Sequence, residues 1–224
     1  MRFAVLGSGS QGNGTLIASG DTFILVDCGF SLRETERRLA LLGVSPAQLS
    51  AVLVTHEHAD HVHGVGLLSR RYNVPVYLSQ GTLRGMRKPV EVAGFLACGQ
   101  SLRIGSLEVT AARVEHDAYE PLQYVISDGQ RRFGMLTDLG SYDALLLERY
   151  QGLDALLIEA NHCRDLLARG HYPVFLKQRV GGMQGHLNNH QAARLVHELG
   201  WSNLQHLVLA HLSSKNNLPH LARQ

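Results

Sequence analysis

The apolar positions fall into two rhythms. Short runs rich in Val, Ile, Leu and Phe, bounded by glycine or polar clusters, predict strands at "RFAVLG" (2–7), "TLIAS" (15–19), "TFILVDCG" (22–29), "AVLVT" (51–55), "VPVYLS" (74–79), "DALLIEA" (154–160) and "LQHLVLAHLS" (204–213). Two longer stretches, 101–116 and 122–138, predict paired strands, with Asp128-Gly129 as a hairpin turn. Helical spacing appears in "SLRETERRLALLGV", where Ser31 and Glu34 suggest a capping box, Leu32, Thr35, Leu39 and Leu42 share one face, and Gly43 stops the helix. Further helices are expected over 60–72, 81–88, 142–150, 164–180 with a break near Tyr172-Pro173, and from Asn188 or Asn189 to Gly200. Strands and helices alternate throughout, with both hairpins and crossovers. That is an α/β layered chain, read as a single domain over 1–224.

Several of the predicted strands end on chemistry. "AVLVT" is a continuous apolar run, as expected of a buried strand, and it delivers the chain into "HEHADHVHG". In an extended segment residues two apart project to one side, so His56 and His58 can reach one ion. Asp60 and His61 begin the next helix and face a neighbouring position. Neither half-site is complete, because zinc takes four ligands, or three plus water. His116, Asp138 and His211 each follow an apolar strand as His56 does, and are the candidates for the missing ligands. Such strand ends are where α/β folds bind ligands.

These motifs resemble the metallo-β-lactamase superfamily. The resemblance runs through "GSGSQGN", "ILVDCGFS", "LVTHEHADHVHGVG", "HDAYEPLQYVI", "LTDLG", "YPVFLKQRV" and "AHLSSKNNLP". "EANHC" and "GHLNN" point within it to the YycJ/VicX-like (WalJ) subfamily of nuclease-type hydrolases. The resemblance implies a four-layer αββα sandwich holding two divalent metal ions. It assigns His56, His58 and His116 to the first, Asp60, His61 and His211 to the second, and Asp138 as the bridge. It further implies a phosphodiesterase or DNA exonuclease that uses a metal-bridging hydroxide, with Asp60, His186 and His162 as catalytic residues. His186 is the candidate general acid, since imidazole titrates near neutrality. His162 would support it or cap the following helix. The family usually continues beyond "NNLPHLARQ", so the last C-terminal elements of the sandwich are expected to be missing.

The donor set of imidazole and carboxylate without thiolate suits zinc, with manganese or iron as alternatives. Asp27 would hold the metal loop or a ligand imidazole, and equally reads as a strand-terminal turn residue. In "GSGSQGNG" the glycines precede a strand rather than a helix, which argues against dinucleotide binding. Ser10 and Asn13 are expected at the rim of the metal site. Cys28, Cys98 and Cys163 have no CxxC spacing, so a reducing, cytoplasmic setting is expected, with Cys28 a buried core residue. The N-terminus reads as a strand rather than a signal peptide, and no apolar run is long enough to cross a membrane. The remaining histidines, 63, 171, 190, 197, 206 and 220, are read as surface or core-edge residues. A net charge of +2 does not itself announce nucleic acid. The clusters Arg70-Arg71, Arg84/Arg87/Lys88 and Arg131-Arg132 would track a DNA backbone or simply be solvated. The competing function is a small-molecule hydrolase of the same fold, acting on a thioester, lactone or cyclic phosphodiester.

Overall fold

The computed structural model describes residues 1–200 and 202–224. The chain forms two compact units, one of residues 1–113 and 118–130, the other of 114–117 and 131–224. The first contains β1 (Arg2–Gly7), β2 (Gly14–Ser19), β3 (Thr22–Val26), α1 (Leu32–Leu41), β4 (Ala51–Leu53), α2 (Ala59–Val62), α3 (Val65–Tyr72), β5 (Val76–Leu78), α4 (Gln80–Gly85), β6 (Gly94–Phe95), β7 (Ser101–Ile104), β8 (Leu107–Arg113) and β9 (Leu122–Ser127). The strands β1 to β6 form a mixed sheet in sequence order. β1, β2 and β3 pair antiparallel, and β3 to β6 run parallel. β7, β8 and β9 form an antiparallel meander. Leu25, Val52 and Val76 on neighbouring parallel strands are fully buried with Leu39 of α1 and Leu68 of α3. Each such side chain contributes about 1.5–3 kcal/mol by leaving water.

The second unit contains β10 (Arg132–Leu136), α5 (Ala144–Arg149), β11 (Ala155–Glu159), α6 (Arg164–Arg169), α7 (Val174–Val180), α8 (Asn189–Leu199), β12 (His206–Ala210) and α9 (Pro219–Ala222). Its three strands are parallel, and the register aligns Leu136 with Ile158 and Glu159 with Ala210. The carboxyl ends of β10, β11 and β12 are therefore level. That register is what lets Asp138, Glu159 and His211 leave the sheet at one edge.

Four local expectations change. The helix expected over 60–72 is broken into α2 and α3 at Gly64. A Cβ there would sit 2.3 Å from the Phe30 carbonyl oxygen and 2.8 Å from Cys28 Sγ, so only glycine permits this approach. Ser31 caps α1 by accepting the Glu34 N–H, but the Glu34 carboxylate turns to Arg37 and Arg38 instead of completing a capping box. α4 ends at Gly85 rather than running through Lys88, and the short strand β6 was not foreseen.

Candidate metal centre

In the first unit the metal motif is held from below by the end of β3. Asp27 follows the last residue of that strand, is buried and has a left-handed backbone, φ 61°. Its Oδ1 accepts the Thr55 N–H at 2.8 Å. Its Oδ2 accepts the Thr55 hydroxyl at 2.9 Å and His61 Nδ1–H at 2.8 Å. Thr55 Oγ1, having donated to Asp27, is left to accept from His56 Nδ1 at 3.0 Å. Both imidazoles are thereby fixed with Nδ1 protonated and Nε2 carrying the lone pair a metal needs. His58 stands at the N-cap position of α2, without a side-chain cap, and meets His56 edge to face, ring centres 4.6 Å apart.

The glycine-rich loop is tied to the same motif. Asn13 is buried, and its backbone N–H donates to the Asp60 carbonyl at 2.7 Å. Its side-chain amide reaches Asp60 Oδ2 at 3.2 Å and His61 Nε2 at 2.9 Å, while its Oδ1 accepts the Gly9 N–H. Gly29 makes the contact possible, because a Cβ there would fall 1.7 Å from the Asp60 carbonyl oxygen. Ser10 stands apart from this network: it is exposed at the turn. Cys28 is buried against Thr35 Oγ1 at 3.3 Å, and burial pushes its thiol up to about 11. It is a core residue rather than a thiolate donor.

In the second unit Glu159 organises the edge. It is completely buried at the end of β11. Oε1 accepts the N–H groups of Leu139 at 3.0 Å and Leu187 at 2.8 Å. Oε2 accepts the Asp138 N–H at 3.2 Å and bonds His186 Nδ1 at 3.1 Å. Burial alone would raise this carboxyl, but the charge and hydrogen bond of His186, with His211 close by, outweigh it and hold it at about 2. Burial likewise works against a charged His186, and the carboxylates of Glu159, Asp138 and Asp117 reverse this, raising its imidazolium to about 9. His211 Nε2 lies 3.3 Å from Asp138 Oδ1, and its Nδ1 faces Glu159 at 3.6 Å. Asp138, Glu159, His186 and His211 form one cluster of ligand-type atoms. His116 places Nδ1 on the Gly185 carbonyl at 3.2 Å, so it too presents Nε2.

Asp138 and His211 share the left-handed backbone of Asp27, with φ 56° and 51°. Among the described residues only Asn73 joins them outside glycine, and it terminates α3. Non-glycine residues there are uncommon and cluster at functional sites. His162 behaves differently. It is buried, its Nδ1 has no hydrogen-bond partner among the described residues, and burial holds its imidazole down at about 4. Cys163 rather than His162 takes the N-cap of α6. The six histidines set aside in the sequence, 63, 171, 190, 197, 206 and 220, are all exposed. Sequence reasoning missed Thr55, Glu159 and Asn161, whose amide bonds the His211 carbonyl at 2.9 Å.

The donor chemistry fits divalent ions: imidazoles, with Nδ1 engaged at His56, His61 and His116, carboxylates, and no thiolate. Residues 22–212 match the model of the beta-lactamase superfamily domain. The chain is 34% identical to exodeoxyribonuclease YycJ of Bacillus anthracis, over all of this chain and 86% of that protein. It is 33% identical to exodeoxyribonuclease WalJ of Streptococcus pneumoniae serotype 2 (strain D39 / NCTC 7466), over 99% of this chain and 85% of that one. In structure it superposes on the metallo-β-lactamase fold protein YhfI from Bacillus subtilis with a TM-score of 0.76 at 24% identity, covering 99% of this chain and 90% of that one. The fold is therefore the α/β sandwich of that class. The carboxylate-braced histidines at the strand ends and the two whole-length likenesses lead to one conclusion: the chain belongs to the metallo-β-lactamase superfamily, as a metal-dependent hydrolase of its YycJ/WalJ-like branch.

Proposed function

We propose that this protein is a two-zinc phosphodiesterase that degrades DNA. The observation that carries the reading is the likeness to YycJ and WalJ along the whole chain, since both are exodeoxyribonucleases. The proposed ligands are His56, His58 and His116 for one ion, Asp60, His61 and His211 for the other, and Asp138 for both, with residues 1–224 acting as one domain. Two cations bound there supply an activated water and withdraw charge from the phosphoryl oxygens. Asp27 and Thr55 fix the tautomers of His61 and His56. Glu159 orients the backbone at Asp138 and Leu187, and holds His186 through Nδ1 so that Nε2–H is the proton offered to the leaving oxygen. A cation held at Asp138 would offset the carboxylates that raise the His186 imidazolium, and so would move it toward the range a general acid needs. His162, neutral and buried, supports this loop: its carbonyl accepts the Asn189 N–H at 3.0 Å. Asn13 ties the glycine-rich loop to Asp60, while Ser10, exposed at the turn, takes no part in that tie. Cys28, Cys98 and Cys163 are free thiols, in keeping with a cytoplasmic setting. Among the described residues no helix is long and apolar enough to cross a membrane.

The test is a panel of single-stranded and double-stranded DNA, RNA, bis-p-nitrophenyl phosphate, a thioester and a lactone, assayed with zinc and with manganese. DNA turned over faster than the esters, and inhibited steeply by salt, is the expected result. Preference for the thioester or lactone would replace this reading with the small-molecule hydrolase.

A further inference from the structure

We propose that a cavity beside His58 binds one nucleotide of a DNA strand, with phosphate against Arg70, Arg87 and Lys88 and the base on Tyr119. The proposal rests on the nuclease reading and adds to it a place for the strand.

The cavity has a volume of about 500 Å³ and lies wholly within the first unit. That is ample for a small ligand. Its lining divides by chemistry. Val62, Leu67 and Met86 give an apolar wall, and Leu67 is 52% exposed toward solvent. Arg70, Arg87 and Lys88 give a cationic rim against the single carboxylate of Glu57. Arg37, Arg38 and Arg131 are in ion pairs with carboxylates. No ion pair among the described residues engages Arg70, Arg87 or Lys88, so their charge is available to an anion. The Arg70 guanidinium lies over Gly66, its Nη1 3.4 Å from where a Cβ would stand.

An aromatic ring completes the arrangement. Tyr119 is 73% exposed although its backbone is fixed, its N–H donating to Glu57 Oε1 at 2.9 Å. Its ring packs over Gly85, where a Cβ would meet Tyr119 Cδ2 at 2.8 Å and Glu57 Cγ at 2.5 Å. An exposed aromatic resting on Gly85, a residue that also lines the cavity carrying the three cations, supplies the combination that binds single strands, by stacking a base and tracking the backbone. Because His58 itself lines the cavity, a strand seated there has its neighbouring phosphodiester at the metal motif.

Fluorescence anisotropy with a labelled single-stranded oligonucleotide and metal-stripped protein separates binding from turnover. The Arg87→Ala/Lys88→Ala double variant should bind more weakly, and its slope of log affinity against log salt should be shallower by about 1.4, for two lost phosphate contacts. Tyr119→Ala should lose about tenfold in affinity, and Tyr119→Phe should keep it. Unchanged circular dichroism and melting would show that these exposed replacements leave the fold intact. Wild-type affinity and salt slope in the double variant would overturn the proposal, as would wild-type protein that fails to bind. DNA cleaved by the wild type and equally well by both variants would overturn the cavity while leaving the nuclease reading standing. Binding lost in the variants of a protein that hydrolyses only small esters would support the cavity and refute the nuclease.

Discussion

Replacing Glu159 with glutamine preserves shape and removes one acceptor oxygen. Four donors converge on this buried carboxylate: the N–H groups of Asp138, Leu139 and Leu187, and His186 Nδ1. The amide oxygen will stay with Leu139 and Leu187. The new NH₂ then faces Asp138 N–H and His186. A neutral His186 can turn its Nδ1 lone pair to the amide, but the Asp138 N–H keeps no acceptor there. One buried donor facing a donor costs about 1–3 kcal/mol. For a chain of this size that lowers Tm by roughly 2–12 °C. The wild-type carboxyl is held at about 2, below its ordinary 4.5. Its contribution to stability is therefore complete above about pH 4.5 and is lost as pH falls toward 2. The gap between wild type and variant should narrow accordingly. The assay is thermal denaturation of both metal-free proteins at pH 7 and pH 3. Equal melting at pH 7, or an equal gap at both values, would refute the reasoning.

His186→Ala should retain both metals and lose about 10²–10⁴-fold in turnover of an unactivated phosphodiester, with a much smaller loss on p-nitrophenyl esters, whose leaving group needs little protonation; loss of metal would make it a ligand instead. Asp27→Asn should weaken metal affinity by about 10–100-fold, because His61 loses the carboxylate that fixes its tautomer; competition with a chelator reads this, and unchanged affinity would remove Asp27 from the metal site. Cys28, pushed up to about 11 by burial, should resist iodoacetamide at pH 8 while exposed Cys98 reacts, as peptide mass mapping would show. Its neutral thiol stabilises the fold fully below its ordinary value of 9.0, and that contribution is lost as pH rises toward 11.

Much of the candidate site was legible because its residues sit where apolar runs stop. A run such as "AVLVT" announces a buried strand, and the residue after it must emerge at the sheet edge. His56, Asp138 and His211 were found that way. Glu159 was missed for the opposite reason: it closes the run "DALLIEA" and reads as the polar end of a strand. Its role depends on backbone N–H groups at 138, 139 and 187, which only the parallel register of β10, β11 and β12 assembles. Thr55 looked like the last residue of a strand, and its hydroxyl matters only because Asp27 lies beside it. The break at Gly64 was hidden too, since glycine within helical spacing is tolerated and the approach of Phe30 comes from a distant loop. The reach of Glu34 to Arg37 and Arg38 shows local charge competing with a cap that the sequence pattern favours.

The proposed centre has seven side chains holding two metal ions, with Asp138 shared by both. Elemental analysis of zinc-replete protein, with anomalous scattering from its crystals, tests it most directly in the wild type and in Asp138→Ala. Two ions per wild-type chain are expected, at His56 and His58 and at Asp60 and His61. Asp138→Ala should lose metal and nearly all turnover, beyond the loss from any single histidine change. A wild-type protein with no metal near His56 and Asp138, or an Asp138→Ala variant with full metal content and full turnover, would contradict it.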